Sequence, residues 1–372
     1  MKILYSCLSK SWGGMEMYTL TSIRQLLNRD IKVELICSAE SRIHIEANNM
    51  GILIHPIRAG SYLHPFTTIR LSLLMRNNEY SLVHTQASKD LWLLVPALML
   101  ANSKIPLFLT KQVGSFIIKK DFFHNLLYKR VNKFFAISNI IKKNLIETTT
   151  ADANDIIILP NGVDTEKFNP DILDKNKVRT EFKISGENIV IGMLARFTPG
   201  KGHEEFLLAA KELNNEFENL RYLVVGEPSR GENEYADKIK QLAKDYGLSN
   251  LIFTGFRGDT PEVISAMDIF AFPSHSEAFG IALVEAMAIK KPSVCSDSDG
   301  VLDIAVNDET SYLFKNREYK DLKAKLKLLI DSKELRCKFG ENARKRVLEN
   351  FDLKKVTEKV LKTYQQEIHK VS

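Results

Sequence analysis

Ala271-Phe272-Pro273-Ser274-His275-Ser276-Glu277-Ala278-Phe279-Gly280-Ile281-Ala282-Leu283-Val284-Glu285-Ala286-Met287-Ala288 is the stretch whose reading decides the fold. An apolar strand end, Ile269 to Phe272, stops at Pro273. A polar turn carrying Glu277 follows, and Gly280 lets the backbone bend into a helix. Ile281, Leu283, Val284 and Met287 then recur at helical spacing, and Glu285 projects from the second turn. Two carboxylates therefore bracket a helix amino end, whose free N–H groups form an anion site with fixed dipoles. Phosphate on the N–H groups and hydroxyls on the acids describe a nucleotide-sugar. The same pair of glutamates also describes an ordinary strand–helix turn with a solvated acid at each end.

The chain has 372 residues, enough for two domains with separate cores. A quarter of the residues are charged, as in soluble globular proteins. Cys7, Cys37, Cys295 and Cys337 are scattered without C-x-x-C spacing. That argues against a disulfide framework or a zinc site and suits a reducing cytoplasm. Ile3 to Tyr5 reads as a strand and not as a signal peptide. The longest apolar run, Leu91 to Ala101, contains Pro96 and is too short to span a bilayer.

Net charge is +6, and it is unevenly placed. The excess of Lys and Arg falls in the first 164 residues and concentrates between Lys111 and Lys143. There it is interleaved with Phe116, Phe122, Phe123, Leu126, Tyr128 and Phe134. A basic face beside aromatic residues can settle on anionic lipid. A solvated helix face whose aromatics belong to the core fits the same pattern. No nucleic-acid motif accompanies the charge.

Lys2 to Cys7 reads as a strand, residues 8–14 as a loop ending in Gly13-Gly14, and Ile31 to Cys37 as the next strand after a helix. This unit opens a doubly wound α/β domain. The G-x-G-x-x-G spacing is absent, which disfavours a nicotinamide dehydrogenase. Further strands fall at residues 53–56, 82–84, 107–110, 133–137 and 156–159. Three of their ends carry polar groups: His84-Thr85-Gln86, Thr110-Lys111-Gln112 and Ser138-Asn139. Taken alone, His84 reads as a satisfied histidine at a strand end. Pro160-Asn161-Gly162-Val163-Asp164 is dense turn chemistry and marks a domain boundary.

The second domain opens with the strand Ile189 to Leu194. Residues 195–203 follow as a loop shaped by Pro199, Gly200 and Gly202, from which Arg196 and Lys201 project. Two cations on such a loop suit a diphosphate clamp, or are two ordinary surface cations. Strands at 222–225 and 251–254 end in Gly226-Glu227 and Gly255-Phe256-Arg257-Gly258. A strand spanning residues 266–272 leads into the opening stretch. Strands at 292–295 and 312–314 and helices at 319–331, 333–349 and 353–368 complete the chain.

Together these motifs resemble the retaining glycosyltransferases of the GT-B fold, family 4 (glycosyl transferases group 1). Glu277 and Glu285, with seven residues between them, match that family's paired glutamates. Arg196-Phe197-Thr198-Pro199-Gly200-Lys201-Gly202 matches its Arg-Phe-x-Pro-x-Lys-Gly element, and Asn161-Gly162-Val163-Asp164 matches the segment before its hinge. The resemblance spans nearly the whole chain. It implies two Rossmann-like domains facing across a cleft, with residues 1–164 on the acceptor side and 165–352 on the donor side. Residues 353–372 would form a helix crossing back onto the first domain.

The resemblance also assigns roles. Glu277, Arg196 and Lys201 are the catalytic candidates. Gly13, Gly14, Gly226, Phe256, Arg257, Phe279, Gly280, Ile281 and Glu285 are donor-binding candidates. His84, Gln86 and Lys111 are acceptor-binding candidates. Where family members often carry Asp-x-x-His-x-His, this chain has Ser81 and Gln86 in place of the Asp and the second His. These departures suggest positioning in place of proton transfer. No metal and no cofactor are implied, the co-substrate being a UDP, GDP or ADP sugar.

The activity implied is metal-independent, retaining transfer of a hexose-type sugar to a saccharide or lipid-linked saccharide in bacterial surface polysaccharide or lipopolysaccharide synthesis. The implied location is the cytoplasm, with residues 111–143 offering contact to the inner face of the cytoplasmic membrane. Nucleic acid is not among the expected partners. A nucleotide-sugar epimerase of the same fold and a non-catalytic membrane-associated subunit are the alternatives.

Overall fold

The computed structural model describes residues 1–58, 64–228 and 231–371. They form two compact units: Met1–Asn161 together with the chain from Lys354 onward, and Gly162–Leu353. The sequence placed the boundaries at residues 164 and 352. The bridge between Val163 and Asp352 explains the placement found here. The Val163 amide donates to the Phe351 carbonyl at 2.8 Å and the Leu353 amide to the Val163 carbonyl at 3.0 Å. The chain thus enters and leaves the second unit side by side. A Cβ on Gly162 would fall 2.7 Å from the Leu353 Cα, so the close approach requires glycine there.

The first unit is built on seven strands: β1 (Lys2–Cys7), β2 (Lys32–Ser38), β3 (Leu53–Ile57), β4 (Leu82–Thr85), β5 (Leu107–Lys111), β6 (Lys133–Ala136) and β7 (Ile156–Ile158). They pair in the order β3-β2-β1-β4-β5-β6-β7, every neighbour parallel. The second unit has six: β8 (Ile189–Leu194), β9 (Leu220–Val225), β10 (Leu251–Gly255), β11 (Ile269–Phe272), β12 (Ser293–Ser296) and β13 (Ser311–Phe314). Their order is β10-β9-β8-β11-β12-β13, again all parallel. Both strand orders reverse, at β1/β4 in the first unit and at β8/β11 in the second. Such switch points leave a crevice at the carboxyl ends of the strands, where α/β proteins take ligands. The doubly wound α/β class expected from the strand–loop–helix pattern is the one found.

The central strands are buried runs, as parallel sheets covered on both faces require, whereas the edge strands β3, β7 and β10 are partly exposed. In the first unit Ile3, Tyr5, Leu35, Phe108 and Phe135 pack with Val356 and Tyr364 of the last helix, Leu353–Val371. In the second, Ile191, Met193, Tyr222, Val224, Ile269 and Phe314 form the centre. One strand differs from its sequence reading: β11 begins at Ile269, not at Ala266. Ala266 instead closes the helix Thr260–Ser265. Asp268 turns aside to accept from Arg179 at 2.6 Å and from the Val190 amide at 2.8 Å.

Candidate functional site

At the β8/β11 switch point two loops are pressed together. The loop after β8 carries Arg196 and Lys201, and the loop after β11 carries Glu277. Glycines allow the close backbone approaches here, Gly202 between the two loops and Gly226 and Gly300 from the turns after β9 and β12. Gly202 has φ +77, and a Cβ there would lie 2.2 Å from the Pro273 carbonyl oxygen. Gly226 has φ +140, and its Cβ would lie 2.0 Å from the Ala195 carbonyl oxygen. Gly300 underlies the turn, its Cβ direction blocked by the Ala278 carbonyl oxygen at 2.5 Å. The His275 amide donates to the Gly200 carbonyl at 2.8 Å, and the Gly300 amide to the Glu277 carbonyl at 2.9 Å.

This packing brings Lys201 and Glu277 into direct contact, Nζ to Oε1 at 2.5 Å, with both side chains mostly buried. Arg196, from the same loop as Lys201, is exposed. Behind the turn, Asn316 donates to the His275 carbonyl at 2.7 Å and His275 Nε2 meets Glu205 at 2.9 Å. Ser276 donates to Asp299, and Ser296 and Ser298 both donate to the Ser274 carbonyl. The turn holding Glu277 is therefore fixed on several sides, which is what a preorganised charge requires.

Gly280, at φ +114, opens the helix Ile281–Ala288. The Leu283 amide already bonds back to the Gly280 carbonyl at 3.0 Å, so the amides just before it head the helix. Phe279 is buried against Phe351, which limits its ligand contacts to its backbone. Glu285 sits half-buried on this helix. Burial pushes its carboxyl up to about 7, with Lys167 pulling the other way. Phe256 is exposed after β10. The Arg257 guanidinium, by contrast, is committed to Glu181 and, at 2.7 Å, to Asp259, so its assignment to the donor finds no unengaged head group.

In the first unit, Gly13 precedes the helix Gly14–Leu27, which has no side-chain cap, and Gly14 faces open space. His84 sits in an internal network. It is buried, and both ring nitrogens are occupied, one by the Tyr364 hydroxyl and one by Thr110 Oγ1 at 2.7 Å. Burial pushes it down to about 3, so it is neutral within that network. Gln86 accepts from Gln112 at 3.1 Å. Gln112 and Asn161 exchange a further pair of bonds. A cavity of about 30 Å³ lies beside these groups, lined by Tyr5, Tyr18, His84, Gln86, Thr110 and Asn161 among others. Lys111 is buried at the end of β5, with Ser88 Oγ 3.4 Å from its ammonium.

The sequence matches the model described as Glycosyltransferase Family 4 over residues 12–167 and that described as Glycosyl transferases group 1 over residues 174–346. The chain belongs to the family 4 glycosyltransferases. One relative is the capsular polysaccharide biosynthesis glycosyltransferase CapM of Staphylococcus aureus, 30% identical across 62% of this chain and 60% of that protein. Another is the N,N'-diacetylbacillosaminyl-diphospho-undecaprenol alpha-1,3-N-acetylgalactosaminyltransferase of Campylobacter jejuni. It is 26% identical across 98% of this chain and 99% of its own length. Among solved structures, a Rickettsia africae glycosyltransferase superposes with a TM-score of 0.90 at 23% identity, covering 99% of this chain and 98% of its own. Anabaena HepE, in complex with UDP and glucose, gives 0.83 at 22% identity, covering 98% and 99%. These two likenesses establish the GT-B fold.

Several residues of this glycosyltransferase's site escaped the sequence reading. His203, directly after Gly202, is buried with neither ring nitrogen hydrogen-bonded and is stacked on Phe197 at 4.7 Å. Glu205, Asn316 and Asp299 brace the Glu277 turn from distant points in the chain, and nothing in their local spacing marks them. Asp90 is a buried carboxyl held by Ser6 at 2.7 Å and Thr85 at 3.0 Å, pushed up to about 6 by burial. Asp90 ends the polar run Gln86–Asp90 just ahead of an apolar helix, and nothing in its spacing marks it as buried. No group of His, Cys, Asp and Glu among the described residues has metal-binding geometry.

Proposed function

We propose that this family 4 glycosyltransferase moves a hexose-type sugar from a nucleoside diphosphate sugar to a lipid-linked saccharide, with retention at the anomeric carbon and without a metal ion. The observation that carries the reading is the Lys201–Glu277 pair, 2.5 Å apart on two interlocked loops at the switch point of the second unit. Without a ligand the two charges neutralise each other. A bound donor would exchange that pairing: the ammonium turns to the diphosphate, and the carboxylate accepts hydroxyls of the sugar.

As the bond from the anomeric carbon to the phosphate oxygen breaks, negative charge grows on the leaving diphosphate. Lys201 and Arg196 supply the neutralising cations, and the helix amides after Gly280 supply fixed dipoles. Glu277 favours the positive character developing on the sugar. The acceptor oxygen bonds to the same face, and its proton passes to the leaving phosphate oxygen. Glu285 binds the ribose. The Campylobacter relative's name specifies a diphospho-undecaprenol carrier, and the HepE complex contains UDP. These support a UDP-sugar donor and a diphosphate-linked lipid acceptor, in a surface polysaccharide pathway at the inner face of the cytoplasmic membrane. No described helix is long and apolar enough to cross a membrane.

The test is incubation with UDP, GDP and ADP sugars and an isoprenoid-diphosphate saccharide, with the product linkage read by NMR. Transfer that survives EDTA and yields the donor's anomeric configuration is expected. An inverted product would reject retention. Donor epimerised without transfer would favour the epimerase.

A further inference from the structure

We propose that Lys111 and Lys119 hold the diphosphate of the lipid-linked acceptor, and that Phe116, Ile117 and Ile118 take the first part of its isoprenoid chain. The inference rests on the lipid-linked reading above and locates where that acceptor is gripped. Lys111 is 6% exposed, yet neither it nor Lys119 forms an ion pair among the described residues. A buried ammonium without a carboxylate is costly unless an anion arrives. Burial, and after it the charge of Lys119, lowers Lys111 to about 8. Asp121 is the one acid between residues 111 and 143, and its carboxylate is turned to His124. Ser88 Oγ stands 3.4 Å from the Lys111 ammonium. The buried Tyr128 hydroxyl lies beside Ser88. Two cations and two hydroxyls without a counter-charge form a site for a diphosphate.

The intervening loop explains the lipid end. It is stapled to the helix Asn139–Thr148 at two points. The Ser115 amide donates to Asn144 at 2.8 Å, Asn144 donates back to the Ser115 carbonyl at 2.8 Å, and the Lys119 amide bonds the Thr148 carbonyl at 2.6 Å. Between the staples Phe116, Ile117 and Ile118 stand out, fully or largely exposed. Phe122 and Phe123 extend the apolar surface into the next helix, Phe122–Lys129. Three consecutive large apolar residues held out by fixed anchors, with cations at one edge, match an amphiphile whose charged and apolar parts adjoin.

The experiment measures binding of geranylgeranyl diphosphate to the full chain, beside inorganic pyrophosphate and phosphatidylglycerol vesicles lacking diphosphate. Lys111→Met and Lys119→Gln should each weaken the isoprenoid diphosphate about tenfold or more, the effect of losing one charged hydrogen-bond donor. Phe116→Ser should weaken it while inorganic pyrophosphate binds as before. Melting curves without ligand report folding, and the half-exposed Lys119 permits the test even if the Lys111 variant does not fold. Unchanged affinity in folded Lys119→Gln overturns the site. Vesicle binding that needs Lys111 and Lys119 as strongly as the diphosphate does makes this an anionic-lipid surface and overturns the assignment too. Donor turnover separates the two readings. Loss of diphosphate binding in the variants of a chain that turns over no nucleotide-sugar leaves this site standing and rejects the transferase. Transfer to a phosphate-free saccharide, with Lys119→Gln binding diphosphate normally, does the reverse.

Discussion

Lys201 and Glu277 are each other's counter-ion, so removing either leaves a mostly buried charge without its partner. Lys201→Ala and Glu277→Ala should each reduce transfer by about a hundredfold to a thousandfold, the usual effect of losing one preorganised electrostatic contact. Both measurements need a check that the melting temperature stays near wild type, and turnover within a few-fold of wild type would reject the assigned roles. Glu285 makes a separate prediction. Its folded carboxyl is raised to about 7, so the unliganded protein loses stability as pH rises from the ordinary carboxylate range through 7. Glu285→Gln should flatten that dependence. Donor binding has the opposite sign, because the ionised carboxylate is the better acceptor of two ribose hydroxyls. UDP affinity should fall about tenfold between pH 8 and pH 6, following the ionised fraction. Equal UDP affinity at both pH values, measured by titration calorimetry, would remove Glu285 from the ribose.

Elements hold these residues in place through backbone contacts. Gly202→Ala and Gly226→Ala each combine a positive φ with a Cβ driven into a carbonyl oxygen. Each should cost about 1–3 kcal/mol or displace the loop, visible as a lower melting midpoint together with weaker UDP binding. Gly186→Ala, with open space at its Cβ and no left-handed backbone, serves as the control. This level also separates what the sequence made legible. Strands and the loop glycines follow from apolar runs and Gly/Pro punctuation, and the structure has them within a residue or two in most cases, whereas the strand order and its switch points come only with the fold. The braces behind Glu277 were not legible, because Asp299, Asn316 and Glu205 reach it only through the fold. The partner of His84 was not legible either, since Tyr364 lies 280 positions away. The exposure of Phe116 to Ile118 was open as well, because a core loop and a surface loop share one apolar pattern.

At the scale of the molecule, the two units differ in how much of the chain each needs. Gly162–Leu353 is one continuous segment with its own core. Met1–Asn161 is not self-sufficient, because its core includes residues of the last helix. Val356 and Tyr364 are almost fully buried there, with Val360, Leu361 and Ile368 packed alongside. The Tyr364 hydroxyl meets His84 and, at 3.3 Å, Tyr5. Burying one such side chain contributes about 1.5–3 kcal/mol, and a buried polar group left unpaired costs about 1–3 kcal/mol. Losing the helix therefore removes on the order of 5 kcal/mol or more from a domain whose whole stability is about 5–15 kcal/mol. A fragment of residues 162–353 should unfold cooperatively and still bind UDP. A fragment of residues 1–161 should show a broad melt and bind a hydrophobic dye, and a covalently linked copy of residues 354–371 should restore a sharp transition. A sharp melt from residues 1–161 alone would show that the sheet closes its core without the returning helix.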